Sequence, residues 1–362
     1  MRSPVCARPR GFHDYGDPVQ VTQLTPAPHA ETIDTQPVPT RDAIAELHEK
    51  LRPYVRTTPV FTRNDFPTLG DTRVTFKYEL LQASGTFKAR GAFSNLLSLD
   101  EAQREAGVTC VSAGNHAVAV AYAARAMGVG AKTVMLKTAS PARSSLCREY
   151  GADLMLAENV HEAFEVVKRV EQEEGRYFVH PFNGYRTVLG TATLGYEWAQ
   201  QAPDLDAVIV PIGGGGLIAG VATAFKLFAP HVQVYGVEPA GADAMAQSFA
   251  AGGPVKMGPM SGIADSLMAP HTELYSYTLC RRHIDELVTV TDDEMRAGML
   301  TLFRQLKLAV EPACAAATAA LMGPLREKLM GKRVGVLLCG TNTDTATFNR
   351  HIEAALAAEA NG

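Results

Sequence analysis

The segment Ala207-Val208-Ile209-Val210-Pro211-Ile212-Gly213-Gly214-Gly215-Gly216-Leu217-Ile218-Ala219-Gly220-Val221-Ala222 joins two apolar stretches through four consecutive glycines. The first stretch is short and rich in β-branched residues, which fits a strand buried on both faces. The second continues to residue 228 with the length of a helix. Strand, turn and helix in this order form half of a parallel α/β unit. Glycine costs backbone entropy, so four in a plain turn would be wasteful. They instead let successive amides curl around a phosphate without side-chain obstruction. The loop lacks the GxGxxG spacing of a dinucleotide site, and no Walker lysine follows it.

Outward from this loop the same alternation recurs. Short β-rich runs at 74–80, 108–112, 133–136, 232–237, 287–290 and 334–338 alternate with helical patterns such as 117–127, 161–174 and 293–306. This predicts an α/β protein with mainly parallel sheets. Helical spacing over 42–51, closed by Pro53, marks the start of the globular part. Residues 1–40 carry Pro4, Pro9, Pro18, Pro26, Pro28, Pro37 and Pro39 and read as an extension, disordered or laid over a surface.

A length of 362 residues suits about two domains, and 46% hydrophobic with 20% charged residues is ordinary for a globular chain. The formal charge of -4 supplies no basic field, so nucleic acid is not an expected partner. No apolar run is long enough to span a bilayer, and the start lacks a secretory core, so the cytoplasm is the expected compartment. Six scattered cysteines without a CxxC pair argue against a zinc knuckle and a disulfide framework.

Three further segments stand where strands end or helices begin, the edge at which open α/β sheets bind ligands. In Ser84-Gly85-Thr86-Phe87-Lys88-Ala89-Arg90-Gly91-Ala92 a glycine turn delivers a lysine to a helix start. Burial and the positive helix end would depress its pKa and make the amine nucleophilic, although a lone lysine at a turn is usually a surface residue. Ser112-Ala113-Gly114-Asn115-His116 precedes an alanine-rich helix. Its free amides suit a carboxylate, and read alone it could equally be an N-cap. Leu337-Leu338-Cys339-Gly340-Thr341-Asn342 ends the last apolar run and offers a thiol that could meet a ring nitrogen or simply be buried.

Together these segments resemble the landmarks of the serine/threonine dehydratase branch of fold-type II pyridoxal-phosphate enzymes. The likeness runs from Thr57-Thr58-Pro59 to Asn342 and includes Lys77-Tyr78-Glu79, Gly236-Val237-Glu238-Pro239, Ile263-Ala264-Asp265 and Glu311-Pro312-Ala313. The resemblance implies two α/β lobes with mainly parallel sheets, a tryptophan-synthase-beta-like architecture, with pyridoxal 5'-phosphate between them. It places the large cofactor-binding lobe at 41–105 and 184–362 and the small lobe at 106–183. It makes Lys88 the catalytic lysine that carries the cofactor as a Schiff base and removes the α-proton, with Phe87 packed beside the ring. Asn115 would bond the cofactor's phenolic oxygen. Ser112, Ala113, Asn115 and His116 would grip the substrate carboxylate. Gly213, Gly214, Gly215 and Gly216 would cradle the phosphate, and Cys339 would face the pyridine nitrogen. A thiol there leaves the ring largely neutral, which favours prompt β-elimination over long-lived carbanion chemistry.

The implied activity is elimination of water from a β-hydroxy amino acid such as threonine, serine, hydroxyaspartate or phenylserine, giving a 2-oxo acid and ammonia. The expected enzyme is a homodimer or larger homo-oligomer. A racemase is disfavoured because Ala113 stands where serine racemases present a second serine. A β-replacing enzyme is disfavoured by the Phe87-Lys88-Ala89-Arg90-Gly91 form and the all-glycine loop, and an inactive binding relative by retention of Lys88, Asn115 and the glycines. Relatives often bind a divalent cation. Glu238 and Ala242 fit two of its ligand positions, but Ala244 takes the aspartate's place beside Asp243, so no metal site is expected. The end at Gly362 leaves no room for a regulatory domain, which points to a catabolic role.

Overall fold

The computed structural model describes residues 32–66, 71–112 and 114–361. Two sheets build two lobes. The larger sheet has the strand order Glu286–Val290, Gln233–Pro239, Ala207–Pro211, Arg333–Leu337, Arg73–Lys77 and Val60–Arg63. Neighbours are parallel except for the last pair. The smaller sheet, Asp153–Ala157, Ala131–Leu136, Val108–Val111 and Tyr177–Phe178, is parallel throughout.

Burial explains why the central strands read as continuous apolar runs. Ala207, Val208, Ile209 and Val210 are fully inaccessible, as are Val334, Val336 and Leu337, because helices cover both faces of the sheet. The helix Pro312–Met322 is buried from Pro312 to Leu321 and is composed almost wholly of small apolar residues, so it presents no solvated face. The helix Asp292–Leu306 begins one residue before the sequence pattern suggests. Thr291 and Glu294 form a reciprocal capping box there.

The run 74–80 is not one strand. It ends at Lys77 and passes into a 3₁₀ turn, Glu79–Leu81. The turn aims Glu79 at Arg90, whose Nε donates to Glu79 Oε1 at 2.6 Å. Arg90 Nη2 also donates to Glu197 Oε2 at 2.9 Å, and Lys77 Nζ donates to Glu197 Oε1 at 2.5 Å. All four side chains are buried. Two cations and two carboxylates thus neutralise one another inside the protein, as buried charge requires. Against the burial that would raise it, Arg90 and Lys77 hold the Glu197 carboxyl below its usual range. The cluster ties the strand Arg73–Lys77 to the helices Lys88–Leu96 and Tyr185–Gln201.

Of the proline-rich extension, residues 1–31 lie outside the described residues. From Thr32 onward the chain is folded onto the body. The strands Thr32–Ile33 and Gln36–Pro37 pair antiparallel, and Ile33 joins the core. Gln36 Oε1 accepts from the Tyr185 amide at 2.8 Å, and the Pro37 carbonyl accepts from Tyr275 Oη at 2.5 Å.

Candidate active site

Lys88 opens the helix Lys88–Leu96, and its Nζ donates to the Pro181 carbonyl at 3.0 Å. The ring of Phe87 lies beside it, 5.0 Å from centroid to amine. Burial of the amine lowers its pKa to about 8, against the opposing pull of Cys339 and Glu311. With a pKa about 8, roughly one amine in ten is neutral at pH 7 and most are neutral only above pH 8, so the free base that nucleophilic and base chemistry need is within reach.

The strand Ala207–Pro211 feeds the glycine loop, and the helix Gly216–Phe228 leaves it. Gly215 has φ +98°, a left-handed conformation that side chains resist. A Cβ on Gly214 would come within 2.2 Å of the Phe182 ring. The loop is therefore restricted to glycine by both backbone and space, and it delivers unencumbered amides to a helix N-terminus, where anions bind.

Asn115 and His116 begin the helix Asn115–Met127. His116 Nε2 donates to the Val179 carbonyl at 2.8 Å. Burial, reinforced by the nearby Lys88, takes its pKa to about 3, so the ring is neutral. Burial likewise brings His180 to about 4, and its Nδ1 accepts from the amides of Phe182 and Asn183. Asn115 Nδ2 donates to both oxygens of Glu311, at 2.7 and 2.9 Å, while Asn115 Oδ1 accepts from Asn342 Nδ2 at 2.8 Å. Cys339, 3% exposed, is held protonated by its hydrogen bond to Cys314 and by burial.

One cavity between the lobes is lined by Phe87, Lys88, Ser112, Asn115, His116, Gly213 to Gly216 and Cys339. The structure therefore brings together the site residues expected from the sequence, except that Ala113 lies outside the described residues. Glu238 and Ala242 do not line it. Both Glu238 oxygens accept backbone amides, from Met245 and Ala246 at 2.8 Å each, and so cap the helix Ala244–Ala251. Burial nevertheless pushes the Glu238 carboxyl up to about 8. Asp243 accepts from Gln247.

Sequence reasoning passed over Arg143, which from the helix Pro141–Glu149 bonds Asp265, Ser266 and Glu311, three residues that line the cavity. One local signal existed. A cation in the first turn of a helix opposes the helix dipole, so its partner must come from elsewhere.

A lysine at a helix start, a glycine cradle at a second helix start and a thiol at a strand end, gathered between two parallel-sheet lobes, define a fold-type II pyridoxal-phosphate enzyme. Residues 51–340 match the family described as pyridoxal-phosphate dependent enzyme, and the chain belongs to it. It is 70% identical over 320 residues to phenylserine dehydratase of Ralstonia pickettii, covering 88% of this chain and 98% of that one. It is 35% identical over 309 residues to beta-hydroxyaspartate dehydratase of Paracoccus denitrificans, with 85% and 97% covered. Maize serine racemase superposes with a TM-score of 0.82 at 33% identity, covering 88% of this chain and 98% of that one. Within the family the chain is a dehydratase, an ammonia-lyase that uses pyridoxal 5'-phosphate to act on β-hydroxy amino acids.

Proposed function

We propose that the preferred substrate carries an aryl group on its β-carbon, as 3-phenylserine does, and that the products are the aryl 2-oxo acid and ammonia. The observation that carries this reading is the character of the cavity walls. Val111, Leu136, Phe164 and Phe182 line the cavity together with Met268 and Pro270. Such walls suit a phenyl ring and leave a methyl group undersupported. A β-carboxylate would need a free cation, and Arg143 is already bound to Asp265 and Glu311. The name of the relative at 70% identity supports the same choice.

The site's residues fit the cofactor. The amides of Gly213 to Gly216 would hold its phosphate, Lys88 its carbonyl carbon, Asn115 its phenolic oxygen, and the Cys339 thiol would meet its ring nitrogen without adding charge. When bound, the cofactor supplies the electron sink for breaking the α-C–H bond and expelling the β-hydroxyl. The chain's own part is positional and protonic. Ser112, Asn115 and the loop amides orient the substrate carboxylate. The buried Lys88 amine, in the neutral form that its lowered pKa brings within reach, takes the α-proton. Neutral His116 adds no competing charge near Lys88. The β-hydroxyl leaves as water by taking up the proton that Lys88 removed from the α-carbon, and the released enamine takes up water to give the 2-oxo acid and ammonia. A homodimer or larger homo-oligomer working in the cytoplasm completes the proposal. Among the described residues no helix is long and apolar enough to cross a membrane.

The test is a 2-oxo acid assay across phenylserine, threonine, serine and hydroxyaspartate. Burying a phenyl group contributes about 1.5–3 kcal/mol, so kcat/KM for phenylserine should exceed that for serine by roughly 10- to 100-fold. A higher value for threonine or hydroxyaspartate would overturn the assignment. Sedimentation at micromolar concentration tests the assembly.

A further inference from the structure

Among the described residues, Arg143 is the one small-lobe side chain whose guanidinium bonds both Asp265 and Glu311 of the large lobe. It is 4% exposed. Its Nη1 donates to Asp265 Oδ2 at 2.5 Å, and Nη2 donates to Asp265 Oδ1 at 3.2 Å and to Glu311 Oε2 at 3.1 Å. Nη2 also reaches Ser266 Oγ at 3.5 Å, and Nε donates to the Asn342 carbonyl at 2.9 Å. The stem of the side chain lies on the loop that carries Ser112 and Asn115. A Cβ on Gly114 would come within 2.2 Å of Arg143 Cδ. While Arg143 stays in place there is no room for a side chain at Gly114.

The other side of Glu311 is occupied by Asn115, whose Nδ2 donates to both carboxylate oxygens. Glu311 thus stands between Arg143 of one lobe and the amide expected to meet the cofactor's phenolic oxygen. We propose that Arg143 is a positioning residue for the dehydratase reaction: it closes the cleft onto the large lobe and, by holding Glu311 from the side opposite Asn115, sets the orientation of Asn115. This rests on the dehydratase activity and not on the aryl preference.

The electrostatics agree. Burial raises the pKa of Glu311, and Arg143 and the Asn115 amide oppose that rise. The groups that face Glu311 are Arg143 from the small lobe, Asn115, Asp265 with Ser266, and the Lys88 and Cys339 side chains across the cavity. Asp265 pushes the same way as burial, so Arg143 is the counter-charge that matters. Without it Glu311 takes up a proton at higher pH and loses acceptor capacity toward Asn115.

The experiment uses the loaded enzymes Arg143→Met, Arg143→Lys and Glu311→Gln, assayed with both 3-phenylserine and threonine so that the outcome does not depend on the preferred substrate. In Arg143→Met the acid limb of kcat/KM should move up by about one pH unit or more. Arg143→Lys should restore part of the shift, since an ammonium supplies charge without the two-pronged fork. Hydrogen exchange read without turnover should quicken at 112–116 in Arg143→Met and stay unchanged in the strands of the larger sheet. An unmoved acid limb, or unchanged exchange at 112–116, in a folded Arg143→Met enzyme overturns the proposal. If Arg143→Met does not fold, Arg143→Lys is added to Glu311→Gln. The acid limb should already be gone and the second change should cost less than twofold, whereas fully additive losses overturn it.

Discussion

Lys88 and Arg90 lie two residues apart on one helix and serve opposite surroundings. The Lys88 amine enters the cavity and meets the Pro181 carbonyl, while Arg90 is sealed behind it with Glu79 and Glu197. The buried charge cluster therefore fixes, from the core side, the helix that presents the reactive amine.

Arg90→Met should be severely destabilising, because it strands two buried carboxylates with Lys77 as their only remaining cation. Breaking a buried ion cluster by removing one partner costs roughly 3–5 kcal/mol. The check is the urea midpoint of the apoprotein. A loss under about 1 kcal/mol would show that Lys77 alone can satisfy Glu79 and Glu197.

The state of Lys88 has a thermodynamic consequence. Its folded pKa of about 8 lies below the ordinary 10.5. Below pH 8 both the folded and unfolded chains hold the proton, and the folded one bears the full cost of a buried charge. Between 8 and 10.5 the unfolded chain binds the extra proton, so stability climbs with pH. The apoprotein of Lys88→Met should accordingly be more stable than the parent at pH 7, by on the order of 2 kcal/mol after discounting for the amine's contact with the cavity. That advantage should shrink through pH 8–10.5. Lys88→Met should also abolish turnover, and borohydride reduction of the parent should fix the cofactor on Lys88. Label on another lysine would refute the assignment.

Gly213 to Gly216 stand out locally, whereas Lys88 and Asn115, each open to a bland reading alone, are singled out in the sequence only by the order and spacing of the motifs taken together. The parallel sheets are legible because fully buried strands such as Ala207–Pro211 are short and wholly apolar. Arg143 is not legible as a site residue. Its partners Asp265 and Glu311 lie 122 and 168 residues away, and only the folded chain shows which carboxylates offset its place at a helix start. Glu197 is hidden for the same reason. It looks like one polar position on the helix Tyr185–Gln201, yet it is the shared acceptor of Lys77 and Arg90.

Cys339 offers a test of how the ring is tuned. Burial and Cys314 keep the thiol protonated, so it would meet a ring nitrogen as a neutral group. Cys339→Ser should keep most of the elimination activity, because a hydroxyl makes the same kind of bond. Cys339→Asp would stabilise a protonated ring. Elimination should then slow by about tenfold or more, and racemised or transaminated products should accumulate. Product analysis decides it. An aspartate variant with parental rates and products would mean that residue 339 does not face the nitrogen.

The proposed aryl preference would depend on walls contributed by both lobes, so it should be separable from the chemistry. Phe164, 41% exposed, and Met268, half-buried, both line the cavity. Neither touches Lys88, Glu311 or the glycine loop in any hydrogen bond, so truncating both should leave cofactor loading intact. Partial exposure limits what each side chain can contribute to a bound ring. Together they are worth about 1–2 kcal/mol, or roughly 5- to 30-fold in kcat/KM. Phe164→Ala combined with Met268→Ala should therefore lower kcat/KM for phenylserine by that factor and leave threonine within about twofold. The loss should fall mainly on KM, because contacts remote from the α-carbon hold the ground state and the transition state alike. Equal losses on both substrates would place the aryl group elsewhere in the cavity and leave Phe164 and Met268 as packing residues only.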